Sequence, residues 1–341
     1  HVSLNRIAPE LASLSRTIQQ IEQGNFQSSE LRAQQAIFGT AGHPASARIR
    51  SLGRILERLD LKRNFIVHIP LNTLLCWDLQ QALALERWKK NNEKNIAGWF
   101  STLGIVEALS SLANLHHNMP DWVFPAITDK PLSFDAVNLG HPLLHPAKRV
   151  CSSFRTPGPA HISLVTGSNM AGKSTFLRSI GVNIVLAWAG APVCASTMSV
   201  SYLEIMSSMR IADNLEESTS TFYAELKKLK SIIDAVNEQK PVFLLLDEIL
   251  RGTNSKDRHT GSAALIRQLI RHQAAGVIAT HDLELAQLEK EFPGQLENYH
   301  FDVQVEKDEL YFDYQLKNGI CTSMNASILM RKIGIEELKG D

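Results

Sequence analysis

The sequence predicts an α/β domain, a largely parallel sheet flanked by helices, behind an all-α region. Apolar residues recur every three to four positions through roughly the first 120 residues. From His161 onward short β-rich runs alternate with helical stretches, the pattern of parallel strands joined by helices. Between the two lies a proline-punctuated seam, Pro120, Pro125, Pro131, Pro142, Pro146, Pro157 and Pro159. The expected boundary puts residues 1–128 in the helical region and 129–341 in the α/β domain.

Taken in order, Leu4 to Ile21 carries Leu4, Ile7, Leu11, Leu14, Ile18 and Ile21 at helical spacing, and Gly39 to Pro44 reads as a loop. Leu71 to Lys90 repeats the pattern with Leu71, Leu75, Leu79 and Leu83, and Ile96 to Leu115 repeats it with Ile96, Trp99, Leu103 and Val106. These are expected to be packing stripes of a helical scaffold without chemistry of its own. Phe134 to Leu139 is β-prone. Expected strands follow at Ile162–Thr166, Met206–Ile211, Val242–Leu246 and Gly276–Thr280, and expected helices at Ser174–Trp188, Phe222–Val236 and Thr260–His272.

A chain of 341 residues with 44% apolar content has enough material for two domains and a substantial core. Lys plus Arg and Asp plus Glu are 35 each, so no global positive field draws in nucleic acid or an anionic membrane, and any such contact is a local patch. Cys76, Cys151, Cys194 and Cys321 are far apart with no CxxC spacing, which favours reduced thiols in a cytoplasmic protein. His141 and His145 have the spacing of a metal-ligand pair, but Pro142 and Pro146 argue against the helix that pair needs. The longest apolar stretch, Ile184 to Ala195, is interrupted by Pro192 and too short for a bilayer, so neither a membrane helix nor a secretory signal is expected. The chain starts at His1 rather than methionine, from which missing N-terminal sequence is expected.

The chemistry begins at Gly167-Ser168-Asn169-Met170-Ala171-Gly172-Lys173-Ser174, a complete Walker A pattern between an expected strand and an expected helix. A phosphate needs close-set backbone N–H donors and a cation. Gly167 and Gly172 supply bare backbone, Lys173 the charge, Ser174 a hydroxyl for Mg²⁺, and the helix N-terminus its partial positive charge. On this reading the α/β domain is a P-loop NTPase. Val242 to Glu248 is an unbroken apolar run ending in two acids, a Walker B element in which Asp247 holds Mg²⁺ and Glu248 takes a proton from the attacking water. Gly276 to Thr280 is a second apolar strand, ending at His281, which can bond the γ-phosphate or that water. Ser218 to Thr221 precedes a strong helix with Glu225 in its first turn, and reads either as an ordinary N-cap or as a hydroxyl-rich phosphate contact.

Taken together, Thr166 to Arg178, Ser220-Thr221-Phe222, Leu246 to Thr253 and Ala279 to Asp282 resemble the ATPase domain of the MutS family of DNA mismatch-repair proteins, over about residues 130 to 330. Asn169-Met170 inside the loop and Arg251-Gly252-Thr253 after the acids separate that family from generic P-loop proteins, and Gly140-His141-Pro142 looks like its entry segment. The resemblance implies an ABC-type head that forms a homodimer with two composite ATP sites, coupled to DNA through a helical core and lever. It places Lys173, Ser174 and Thr175 on phosphates and Mg²⁺, Asn169 near the γ-phosphate, Asp247 on the metal, Glu248 as general base and His281 on the water. Ser220 or Thr221 would reach across the dimer, and Tyr314 would stack on adenine. Gly167, Ser168, Met170, Ala171 and Gly172 complete the nucleotide loop.

Ser168 and Ala171 depart from the family's usual Gly-Pro-Asn-Met-Gly-Gly-Lys-Ser, both with small side chains, and no mismatch-reading segment with a Phe-x-Glu wedge is present. The expectation is therefore a MutS-like paralogue that hydrolyses ATP and binds DNA. The alternative is a nucleotide-dependent switch acting on a ribosome or membrane-associated complex.

Overall fold

The computed structural model describes residues 4–39, 42–60, 65–168, 170–209, 221–306 and 309–321. The chain divides into two compact units, His1–Asn114 and Leu115–Asp341.

The first unit is helical: α1 (Leu4–Gln23), α2 (Ser29–Phe38), α3 (Ala45–Asp60), α4 (Phe65–Leu75) and the long α5 (Trp77–Asn118), which runs on past its boundary. Its core joins Ile18 and Ile21 of α1 and Trp99, Leu103 and Val106 of α5, the apolar faces read from the sequence, to Phe38 of α2 and Ala45 and Ile49 of α3, which were not. Helix ends are satisfied by side chains. The Gln35 amide donates to the carbonyls of Ile21, Glu22 and Gly24 at the end of α1, and the Glu22 carboxylate accepts the Ser46 N–H at the start of α3.

The stretch Leu71–Lys90 is not one helix. Cys76 takes a left-handed φ of 48°, which ends α4 and starts α5, and α5 continues without interruption through 90–96. Leu75, Leu79 and Leu83 are 50, 60 and 48% exposed, so the stripe expected of them is not packed; Gln81 is the residue buried on that turn. Among the described residues α5 is also the one helix long and apolar enough to cross a membrane, a property the sequence reading did not assign. Trp99, Leu103 and Val106 on it lie in the core of the helical unit.

The second unit is α/β and, among the described residues, has a six-stranded sheet, a four-stranded sheet and a two-stranded pair. In the larger, β4 (Ile162–Thr166), β6 (Glu204–Ser208), β7 (Val242–Asp247), β8 (Ala275–Thr280), β9 (Leu296–Phe301) and β12 (Leu316–Asn318) stand in the order β12-β9-β4-β8-β7-β6. All neighbours are parallel except β12, which runs antiparallel to β9. The smaller sheet, β1 (Ala126–Thr128), β2 (Phe134–Leu139), β3 (Ser152–Thr156) and β5 (Thr197–Ser201), has the order β1-β5-β2-β3, with β2 antiparallel to both neighbours. The pairing of β1 with β5 places residues before 129 in this unit, which is why it begins ahead of the boundary drawn from composition. The strands β10 (Gln304–Glu306) and β11 (Glu309–Tyr311) form a separate hairpin.

Helix α6 (Lys173–Trp188) lies in the core between the two sheets, with Leu177, Ile180 and Ile184 against Phe134, Phe243 and Val277. The opposite face of the large sheet is covered by α7 (Thr221–Asn237) and α8 (Ser255–Arg271), through Ile232, Ile266 and Leu269 against Leu164, Leu244 and Ile278. Strands β4, β7 and β8 are buried from end to end, as continuous apolar runs require. Helix α8 begins at Ser255, ahead of the expected Thr260, because Asn254 caps it by accepting the Asp257 N–H at 2.9 Å. Strand β6 starts at Glu204; the end expected for it at Ile211 lies outside the described residues.

Candidate active site at the C-terminal edge of the sheet

Register decides what meets. Thr166 at the end of β4 pairs with Thr280 on β8, and Asp247 at the end of β7 pairs with Ala279. The residues that follow, Gly167, Glu248 and His281, therefore leave the sheet side by side at the carboxyl ends of three adjacent strands, where open α/β sheets bind ligands.

The turn from β4 into α6 is a glycine matter. Gly167 has a φ of 145°, and a Cβ there would stand 2.7 Å from the Phe301 carbonyl oxygen on β9. Gly172 has a φ of 110° and caps α6 without a side chain. Met170, also left-handed at φ 66°, is thrown outward and 83% exposed, while Ala171 is buried. Asn169 lies outside the described residues.

Lys173 is 5% exposed. Its Nζ donates to the carbonyls of Gly167 at 2.8 Å and Ser168 at 2.9 Å and stands 3.3 Å from His281 Nδ1. Burial pulls its pKa from the ordinary 10.5 to about 8, against the opposing charges of Glu248 and Asp247. Ser174 Oγ donates to Asp247 Oδ2 at 2.6 Å. Asp247 is 6% exposed, and its other oxygen, Oδ1, is buried with no hydrogen-bond partner. A buried carboxylate oxygen left unpaired beside a hydroxyl is a pair of hard donors of the kind Mg²⁺ takes, so these two residues fit that ion.

Glu248 sits at a left-handed φ of 53°. Its Oε1 receives His281 Nε2, and its Oε2 lies 3.0 Å from Arg251 Nε. The His281 hydrogen bond holds the Glu248 carboxyl below its ordinary pKa, helped by the charges of His281, Arg251 and Lys173 and opposed by burial. The other ring nitrogen, Nδ1, is 2.8 Å from the Gly167 carbonyl oxygen. One imidazole thus spans the glycine loop and the acid.

Of these groups Lys173, Ser174 and Glu248 border a cavity of about 540 Å³, whose lining also includes other described residues of the loop, Phe301, Tyr314, His141, Leu144, Lys148 and Val150. Tyr314 reaches Gly172 and stacks on Phe312 with ring centroids 5.8 Å apart. His141 is held below its ordinary pKa by burial first, then by the charges of Arg178 and Arg149. Of the residues singled out in the sequence, Ser220 lies outside the described positions and Thr221 opens α7.

Two of the segments singled out in the sequence are joined by contacts that the sequence did not show. Glu225 on α7 is buried and accepts the Leu250 N–H at 2.5 Å, fixing the turn after the acids. Gly252 in that turn leaves room for Phe222, whose Cβ would stand 2.5 Å from an added methyl. Hence the Thr221-Phe222 start of α7 and the Arg251-Gly252-Thr253 run meet inside one chain. Arg251 also donates from Nε to the Glu248 carbonyl at 3.1 Å. The spacing from Phe222 to Glu225, one helical turn, was the available hint that both face one partner.

Comparison with known proteins adds a lineage to this geometry. A family model described as MutS domain V matches residues 163–333. Over 235 residues, 66% of this chain and 24% of the relative, the sequence is 30% identical to MutS protein homolog 4 of Mus musculus. It is 28% identical to the DNA mismatch repair protein MutS of Persephonella marina over 69% of this chain and 27% of that protein. It is 30% identical to the DNA mismatch repair protein MSH3 of Phaeosphaeria nodorum over 64% of this chain and 20% of that protein. The chain spans about a quarter of the length of the curated relatives it matches.

Proposed function

The chain belongs to the MutS family, and on that premise we propose that it is a Mg²⁺-dependent ATPase head of the ABC type, built on a P-loop, that closes as a homodimer and couples ATP turnover to DNA binding in repair or recombination. The observation that carries the reading is the set of bonds at the carboxyl ends of three adjacent strands, Lys173 to the glycine loop, Ser174 to Asp247 and His281 to Glu248, with Lys173, Ser174 and Glu248 lining one cavity.

In this reading the loop backbone and Lys173 bind the phosphates, and Ser174 and Asp247 would hold Mg²⁺, which when bound would neutralise phosphate charge. Glu248, kept ionised by its cationic neighbours, accepts the proton of the attacking water at a carboxylate oxygen. His281 orients that carboxylate and is itself fixed by the Gly167 carbonyl. Tyr314 offers a ring to the base. Ser220 or Thr221 of a second copy completes each site, and Asn169 reaches the γ-phosphate. The DNA contact is made mainly through regions of the protein outside this sequence, to which the helical part passes the closure of the heads.

Substitution of Glu248 by Gln tests the chemistry. The variant is expected to bind ATP as the wild type does, measured by equilibrium titration with a fluorescent ATP analogue, and to lose at least about a hundredfold in turnover. Turnover unchanged in Glu248→Gln would refute the base assignment. For the DNA arm, duplex or branched DNA should bind with a salt-dependent affinity that differs between ADP and a non-hydrolysable ATP analogue. A partner retained from cells after nuclease treatment, with no nucleotide-sensitive DNA binding, would point instead to the protein switch.

A further inference from the structure

His281 can bridge the glycine loop and Glu248 only if the chain on either side of it is fixed. The preceding residue, Thr280, is held by the ladder of β8, and its Oγ1 accepts the Asp282 N–H at 3.0 Å. The following residue is tied more heavily. The Asp282 carboxylate accepts the Glu284 N–H at 3.0 Å through Oδ1, and through Oδ2 it meets His259 Nδ1 at 2.7 Å. His259 comes from a different element, the first turns of α8, and α8 is the helix that leaves the turn after Glu248. A single hydrogen bond therefore joins the element downstream of the acid to the residue next to its histidine. Both lie on the wall of a second cavity, of about 520 Å³, which Glu248 and His281 also line.

We propose that His259 is a positioning residue for the ATPase reaction: through Asp282 it sets the backbone of His281, so that one imidazole nitrogen meets Glu248 and the other the Gly167 carbonyl. The inference rests on the ATPase reading given above. His259 touches neither the acid nor the loop, so its effect is on the geometry of the reacting pair. The Glu284 carboxylate, 3.9 Å from His259 Nε2 and 78% exposed, is not required. Lys256 and Arg258 on the same cavity wall face solvent.

Three variants of the full chain test this: His259→Leu, which removes the bond; His259→Asn, whose amide N–H replaces Nδ1–H; and Glu284→Gln. His259→Leu is expected to lower kcat about tenfold with KM for ATP within about twofold of the wild type, and His259→Asn to restore most of the loss. Glu284→Gln should behave as the wild type. An equal loss in His259→Leu and His259→Asn, an unchanged kcat in His259→Leu, or a loss confined to KM would each overturn the proposal. So would a Glu284→Gln variant as impaired as His259→Leu and rescued by added Zn²⁺, because His259, Asp282 and Glu284 would then be serving as cation ligands.

A readout independent of turnover separates this inference from the ATPase reading. The Nε2–H resonance of His281, observed by ¹⁵N-edited NMR of nucleotide-free protein, should be sharp in the wild type and in His259→Asn and lost in His259→Leu. If the wild type hydrolysed no ATP, that pattern would still support the positioning role and the ATPase reading alone would fall. A sharp resonance in His259→Leu would refute the positioning role whatever the turnover.

Discussion

Lys173 destabilises the empty protein that it equips to bind phosphate. Its folded pKa of about 8 lies below the ordinary 10.5, so below pH 8 the full cost of burying an ammonium is present, and it is relieved as the pH rises from 8 towards 10.5. Lys173→Met is therefore expected to raise the thermal midpoint of nucleotide-free protein at pH 7, by up to about 3 kcal/mol in stability, while abolishing nucleotide binding. The advantage should shrink in melts run at progressively higher pH. Glu248 works with the opposite sign: its lowered pKa supplies stability at neutral pH that is lost as the pH falls below the carboxylate range. The identities of Lys173, Ser174, Asp247, Glu248 and His281 were legible because each follows a strand of unmistakable pattern. Their mutual bonds were not, because a hydrogen bond between residues 73 or 108 apart in the chain leaves no periodic trace.

Two glycines mark where whole elements touch. At Gly276 on β8, with a φ of 153°, an added Cβ would stand 2.2 Å from the Leu244 carbonyl oxygen and 2.5 Å from its nitrogen on β7. Backbone cannot yield as a side chain can. Gly276→Ala is expected to cost more than about 4 kcal/mol in denaturant unfolding, or to give no soluble protein. At Gly252 the neighbour is the Phe222 side chain, which can shift, so Gly252→Ala should cost about 1–3 kcal/mol and loosen the start of α7. Strands β2, β4, β7 and β8 and helices α6 and α7 were readable, since continuous apolar runs and three-to-four spacing speak directly of burial. The pairing of β1, β3 and β5 around β2 was not, because short strands take their partners from long-range packing rather than from local pattern. The break at Cys76 was missed for a related reason: the leucines on both sides keep step across it.

At the scale of the molecule the expected assembly is a pair of heads closed over ATP. Glu248→Gln with ATP and Mg²⁺ should sediment as a dimer and with ADP as a monomer; a monomer in both states would leave the composite site without support. The cavity itself closes late along the chain. The reactive side chains at and around it lie between Lys173 and His281, yet the wall bearing Tyr314 is brought in just ahead of β12, the last strand among the described residues, which pairs with β9. A polypeptide emerging from its N-terminus would thus carry every charged group of the pocket, exposed to water, for the time needed to make some forty more residues. Premature termination just short of Leu316 would yield a product with the full set of reactive groups and one side of their enclosure missing.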